Sequence, residues 1–263
     1  MKIIAPVCVI AVVLLIISAG CIAEEKTVTK ESVMKEATAE ISDRLNDAVG
    51  HITASANEIA MGKDAKSALA GLYQKTTLAQ SILCTDENGT VIAGYPDFMK
   101  ESIGKDLSSY GIDVNTFNDK AYDLSKYLPL EDKTRACVLS VPITDNGKFN
   151  GYISVAFDTY RLLGSINDNL NEKYGYNMWV IETDGTQIYD PDLSEVGTNV
   201  LTDSAYSDEN IHNTMIEISE NIKGTAQYKY RGDKTDDIVT KEAYWDTFSY
   251  GGQNWRVVIT SVQ

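Results

Sequence analysis

The chain has 263 residues, 38 of them acidic against 23 Lys and Arg, giving a formal charge of −15 and an isoelectric point near 4.5. Nucleic acid and anionic lipid would both repel such a surface, which disfavours them as partners. Two histidines and four cysteines are too few, at these spacings, for a tetrahedral zinc cluster or a disulfide scaffold.

In chain order, the first element is a leader. Met1-Lys2 is a short positive start, Ile3 to Ile17 is apolar apart from Pro6, and Ser18-Ala19-Gly20 are small. That sequence of regions is a secretory signal. Cys21 follows at once, so the stretch resembles the lipobox of prokaryotic lipoproteins, in which cleavage precedes the cysteine and its thiol carries lipid. Ser18 departs from the leucine-like residue usual three positions earlier. The alternative is an uncleaved transmembrane anchor, for which an apolar run of ~18 residues lies at the short end. Either route places the rest of the chain at the outer face of the cytoplasmic membrane.

Removal of residues 1–20 leaves about 240 residues, enough for one large domain or two small ones with real cores. Residues 24–61 lack proline and hold one glycine, Gly50. Met34, Ile41, Leu45, Ala48, Ile52 and Ile59 recur at helical spacing, so the segment reads as one long amphipathic helix with a narrow apolar stripe. Such a stripe suits packing along one edge of a domain or against a second copy, which makes a homodimer through this helix an expectation. A shorter helix is expected over Ala65 to Gln80, completing a stalk over 24–80.

From Ser81 the chain reads as short strands between turn dipeptides: Asn88-Gly89, Asn146-Gly147, Asp184-Gly185, Gly232-Asp233 and Gly251-Gly252. These pairs suit two-residue hairpins and argue for an antiparallel α+β fold. The order of parts repeats after about 95 residues. Thr85 to Ile92, ending at Tyr95-Pro96-Asp97, is echoed by Glu182 to Ile188, ending at Asp190-Pro191-Asp192. Ile103-Gly104-Lys105-Asp106-Leu107 is echoed by Val196-Gly197-Thr198-Asn199-Val200. Each half closes on an apolar strand, Gly151 to Phe157 and Trp255 to Val262.

Together the long helix, these hairpins, Ser140-Val141-Pro142-Ile143, and Tyr174 to Thr186 with its Asp-Pro turn resemble an extracytoplasmic double Cache sensor. Asn254-Trp255-Arg256 resembles that family's closing tryptophan strand. The resemblance implies two PAS-like modules on one helix, a membrane-distal module at 81–163 and a membrane-proximal one at 174–263. It also implies strand order 2-1-5-4-3 in each. Cys84 would then lie on strand 1 and Cys137 near the start of strand 4, two strand spacings or ~9.6 Å apart. That is beyond bridging range, so both are expected as buried free thiols.

Chemistry-bearing motifs are few. There is no Gly-x-Ser-x-Gly elbow, no phosphate loop and no metal spacing, so an enzyme, a cofactor and a metal are not expected. Asp203 to Glu209 is acidic but lacks the alternation and central glycine of a calcium loop. Arg231-Gly232-Asp233 and the sequon Asn88-Gly89-Thr90 both read first as turns. Fifteen tyrosines suit polar small-molecule pockets, although many serve ordinary strand packing. The resemblance places the ligand pocket in the distal module, where Tyr95, Tyr110, Tyr122, Tyr127, Arg135 and Asp158 map, with Asp158 at the amine-binding position. The Trp-Tyr that accompanies the family's arginine is absent after Arg135, and a surface Arg135–Asp158 ion pair is the alternative. The expected function is recognition of a small polar solute; a cell-surface interaction scaffold without a ligand is the competing one. No kinase or methyl-accepting segment is read after Gln263, so the expectation is either that the signal passes to a separate membrane receptor or that the chain simply delivers a ligand.

Overall fold

A computed structural model of the chain describes residues 28–108, 114–117, 120–130, 134–231 and 238–263. The leader with Cys21, Tyr110 and the Gly232-Asp233 turn lie outside the described residues.

The first helix, α1, spans Lys30–Ala60. A capping box starts it: Thr29 Oγ1 accepts from the Ser32 amide at 3.1 Å, while the Thr29 amide donates to Ser32 Oγ at 3.0 Å. Val33, Ala37, Ile41, Leu45 and Ile52 are fully buried. The stripe is thus wider than the sequence suggests, because Val33, Ala37 and Ala56 extend it. It is covered by the chain's own sheets, so a dimer through α1 would have to use its polar faces. α2, Ala65–Lys75, is capped by Asp64, whose carboxylate accepts from the Ser67 amide at 2.9 Å. It stops five residues short of the expected Gln80, where extended backbone at Thr76 leads into the first strand.

The first sheet comprises β1 (Ala79–Thr85), β2 (Val91–Tyr95), β3 (Asp123–Leu124), β4 (Leu128–Pro129), β5 (Arg135–Asp145) and β6 (Lys148–Phe157). α3, Thr159–Tyr174, leads to the second sheet: β7 (Asn177–Glu182), β8 (Gln187–Tyr189), β9 (Gly224–Arg231), β10 (Ile238–Tyr250) and β11 (Gln253–Val262), with α4 (Glu209–Glu220) inserted before β9. The strand orders are β2-β1-β6-β5-β3, with β4 also on β5, and β8-β7-β11-β10-β9, all neighbours antiparallel. Both follow the order 2-1-5-4-3.

The repeat holds at the level of single hydrogen bonds. In the first hairpin the Asp86 amide donates to Thr90 O and Gly89 to Asp86 O; in the second, Glu182 donates to Thr186 O and Gly185 to Glu182 O. The glycine-led loop then docks alike in both: Gly104 donates to Val91 O and Leu107 to Gly89 O, matched by Gly197 to Gln187 O and Val200 to Gly185 O. The two-residue hairpin expected at Asn88-Gly89 is corrected here: it would need positive φ at both residues in its type I′ form, and Gly89 has positive φ while Asn88 does not. The Asp86 carboxylate accepts from the Asn88 and Thr90 amides, holding the turn in another form, and a bulge between Cys84 and Thr85 takes up the register. Asn146-Gly147 does have both φ angles positive.

One hydrophobic core runs from α1 and α2 through Ile82, Leu139 and Val155 of the first sheet, Leu163 of α3, and Val180 and Val257 of the second. Cys84 and Cys137 are free and buried in it. They pair across β6 with Ile153 and Phe157 respectively, four positions apart along that strand, so separation along the strand adds to the two strand spacings. Burial pushes the Cys84 thiol up to about 12, leaving both thiols inert near neutral pH. A second cluster lies on the far face of the second sheet, where Ile211, Met215 and Ile218 of α4 pack on Trp179, Ile181 and Trp245. Arg256 fastens that helix, its guanidinium donating to Ile218 O and Ser219 O at 3.1 Å each.

Gly185 has φ +87°, and a Cβ there would lie 2.7 Å from Leu201 Cγ. Gly185→Val combines strained backbone with this overlap and is expected to cost at least about 1–3 kcal/mol. Denaturant titration of the variant against wild type measures it; equal midpoints would contradict the turn.

Candidate functional site

Period-2 alternation divides each strand of the first sheet between two environments. Ile82, Cys84, Cys137, Leu139, Ile153 and Val155 face α1. Ser81, Leu83, Val138, Tyr152, Ser154 and Ala156 point the other way, where among the described residues no α-helix covers the sheet. Instead the chain from Phe98 to Leu107 and from Asp123 to Leu130 crosses over it, enclosing a cavity of about 640 Å³. Its walls are mostly apolar, with hydroxyls at Ser81, Ser102, Ser125 and Ser154 and charges at Glu101, Lys105, Asp123 and Lys126. Ser154 Oγ shares a 2.8 Å hydrogen bond with Ser140 Oγ. Burial pushes the Tyr152 hydroxyl up to about 12, keeping it a neutral phenol.

The described residues among those expected to form the pocket lie elsewhere. None of the five that are described lines the cavity. Tyr95 packs on Tyr73 of α2 at 5.0 Å between ring centroids. Tyr122 stacks on Tyr250 of the second sheet, also at 5.0 Å. The Arg135 guanidinium sits 5.3 Å over the Tyr127 ring, and the Tyr127 amide donates to Glu182 Oε1 at 2.9 Å. Asp158 is the N-cap of α3, its carboxylate accepting from the Tyr160 amide at 2.8 Å. A strand end that opens a helix favours aspartate for capping alone, which accounts for the residue type without a ligand. Among the described residues no Asp158–Arg135 ion pair is formed. Tyr122, Tyr127 and Arg135 therefore belong to the seam between the modules. Leu124 N donating to Gly251 O and Lys126 Nζ to Asp184 Oδ2, both at 2.9 Å, complete that seam.

The second module has a cavity that the sequence reading missed, about 260 Å³, between the outer face of its sheet, α4 and the Asp190-Pro191-Asp192 turn. The Asp190 carboxylate accepts from the Asp192 amide and from Gln187 Nε2, both at 2.7 Å. Tyr206 donates to Glu195 Oε2 at 2.7 Å. Lys241 lies across from Tyr228 in the β9–β10 register, with Nζ 4.2 Å above the Tyr230 ring. Burial pushes Asp190 up to about 6, Glu195 and Asp192 add to the rise, and the Asp192 amide and Lys241 oppose it. Burial likewise lowers Lys241. The usable signal in the sequence was alternation: Tyr228 and Tyr230 share one strand face, opposite Lys241. The acidic run from Asp203 is explained by capping, since Asp203 and Asp208 accept from the Ala205 and Asn210 amides. Among the described residues no cluster of His, Cys, Asp or Glu has metal-binding geometry.

Two PAS-ordered sheets on one N-terminal helix, each with a cavity on its outer face, define a double Cache sensor domain. The chain belongs to the HK/GC/chemotaxis protein-like sensor domain family, whose model matches residues 28–159. Its fold is similar to an extracellular ligand binding receptor from Desulfohalobium retbaense (TM-score 0.68, 22% identity), covering 88% of this chain and 40% of that receptor. It is also similar to the ligand-binding domain of the Pseudomonas fluorescens chemoreceptor CtaA in complex with L-serine (TM-score 0.60, 14% identity, 88% of this chain and 95% of that one). The amino acid chemoreceptor PctB of Pseudomonas aeruginosa in complex with L-Arg gives a TM-score of 0.59 at 14% identity, over 89% of this chain and 93% of that one. No curated protein sequence matches the chain.

Asp190 supplies a stability test. Its carboxyl ionises near 6 when folded against an ordinary value of 3.8, so the folded state resists its ionisation. Wild type should therefore lose stability relative to Asp190→Asn as pH rises through about 4 to 6, by up to about 3 kcal/mol. Denaturation of both proteins at pH 4 and pH 8 checks it; a pH-independent difference would show that Asp190 is not desolvated.

Proposed function

We propose that the chain recognises a small solute outside the cytoplasm, in the cavity of its first module, and does so without catalysis. The observation that carries this reading is the open cavity itself. Ser81, Ser154 and Ala156 are too short to fill the space between the sheet and the crossing segment, whereas a pure interaction scaffold would be expected to close it with its own side chains. The solved relatives hold L-serine and L-Arg, which supports a solute of amino-acid size with polar groups. Tyr122, Tyr127 and Arg135 serve the seam beside the cavity, and Asp158 serves α3. The first module is the membrane-distal one and the second the proximal one, and occupancy is reported to a separate membrane receptor.

A thermal-shift screen of the mature domain against small metabolites tests this directly. A solute at about 100 times its Kd should raise the melting temperature by roughly 5–10 °C. Ala156→Trp, which fills the cavity from the sheet side, should abolish that rise while leaving a folded protein by circular dichroism. Hits that stabilise wild type and this variant equally would place recognition elsewhere.

We further propose that Cys21 carries the lipid anchor. Mass spectrometry of the mature N-terminus should find a lipidated Cys21, and Cys21→Ser should release the protein or leave its leader uncut. A mature chain that begins at Met1 or Lys2 would exclude the lipid anchor.

A further inference from the structure

The cavity of the second module combines charges of both signs that do not meet. On one side stand Asp190, held by the Asp192 amide and Gln187, and Glu195, held by Tyr206. On the other stands Lys241, which lines the same cavity and feels both carboxylates, yet forms no ion pair among the described residues. Its ammonium rests over the Tyr230 ring instead. Beside it Tyr228 is only 5% exposed and lines the cavity, and its hydroxyl has no hydrogen-bond partner among the described residues.

Half-buried charges in one cavity would close on each other if their role were structural, because an unpaired charge away from bulk water is costly. Here they form no ion pair among the described residues. Gln187 and the Asp-Pro-Asp turn fix the carboxylate of Asp190, while the β9–β10 register and the Tyr230 ring fix the ammonium of Lys241. The gap is lined by the carboxylates of Asp190 and Glu195, the ammonium of Lys241 and the phenol of Tyr228. At about 260 Å³ it falls below the ~300–1,000 Å³ typical of drug-sized ligands, which suits a molecule of a few heavy atoms.

We propose that this cavity is a second solute site, separate from that of the first module, and that it takes a small zwitterion. The ligand's ammonium group lies against Asp190 and Glu195, and its carboxylate against Lys241 Nζ and the Tyr228 hydroxyl. Each end then completes a charge-assisted hydrogen bond that the protein alone leaves open. Such a site stands whether or not the first cavity is occupied.

The test is titration of isotope-labelled mature domain, followed by NMR, with glycine, γ-aminobutyrate and 5-aminovalerate as probes. Butylamine and butyrate serve as the two half-ligands. At least one zwitterion should give saturable shifts at Asp190, Tyr228 and Lys241 below about 10 mM, with each half-ligand at least roughly tenfold weaker. Asp190→Asn and Lys241→Met should each raise its Kd roughly ten- to a hundredfold. Tyr228→Phe, which keeps the ring, should weaken binding several-fold; it and Lys241→Met carry the test if Asp190→Asn does not fold. The proposal is overturned if no zwitterion shifts these residues, if butylamine binds as tightly as the zwitterions, or if the variants bind like wild type. Shifts confined to Ser154 and Ala156 would likewise overturn it while supporting the first-module site, so the two readings fail separately.

Discussion

Both sheets lay one face on the same helix. The stripe on α1 from Val33 to Ala56 is buried by β5 and β6 of the first sheet, by β10 and β11 of the second, and by α2 and α3. Full burial of a Leu or Ile side chain contributes about 1.5–3 kcal/mol, so Ile41, Leu45 and Ile52 make this shared contact one of the larger sources of cohesion. Neither sheet could shed the helix without exposing part of a continuous core. Polar ties reinforce the arrangement: Arg44 donates to Leu162 O, Tyr250 to Asn46 Oδ1, and Lys173 and Tyr174 to the Glu36 carboxylate.

With one face of each sheet committed to α1, the two cavities lie on the outer faces. They are covered differently. The first is crossed by residues 98–107 and 123–130, a short 3-10 helix and two two-residue strands among them, and a large cavity remains beneath. The second is covered by α4, held down by Arg256, and its cavity is smaller and lined by opposed charges. The same sheet topology thus yields two pockets of different size and polarity, because the covering segments differ in length and regularity.

Much of the architecture was readable in the residues. Apolar spacing gave α1, the Asn-Gly and Asp-Gly pairs gave the hairpins, and the echo of Ile103-Gly104 in Val196-Gly197 is matched by equivalent backbone hydrogen bonds in the two modules. Strand alternation was equally legible, but which face of a sheet meets the helix was not, and the pocket residues depend on that choice. Hence Tyr95, Tyr122, Tyr127 and Arg135 were placed in the pocket, although contacts between elements far apart in sequence draw them to α2 and to the seam. Asp158 misled for another reason: the aspartate that suits a ligand amine also suits a helix cap. Ser81, Ser154 and Ala156 were passed over because small residues on a strand carry no chemical signature. Their contribution is the space they leave.

The wall of the first cavity is not the property of one module. Gln253, from the β10–β11 hairpin of the second sheet, lines it beside Lys126. Lys126 lends its stem to the cavity and its ammonium to Asp184 across the seam. The shape of the space is therefore set by how the two sheets sit against each other, and a rocking of one sheet on the other redraws it. A solute that engaged Lys126 would compete with Asp184 for the same cation.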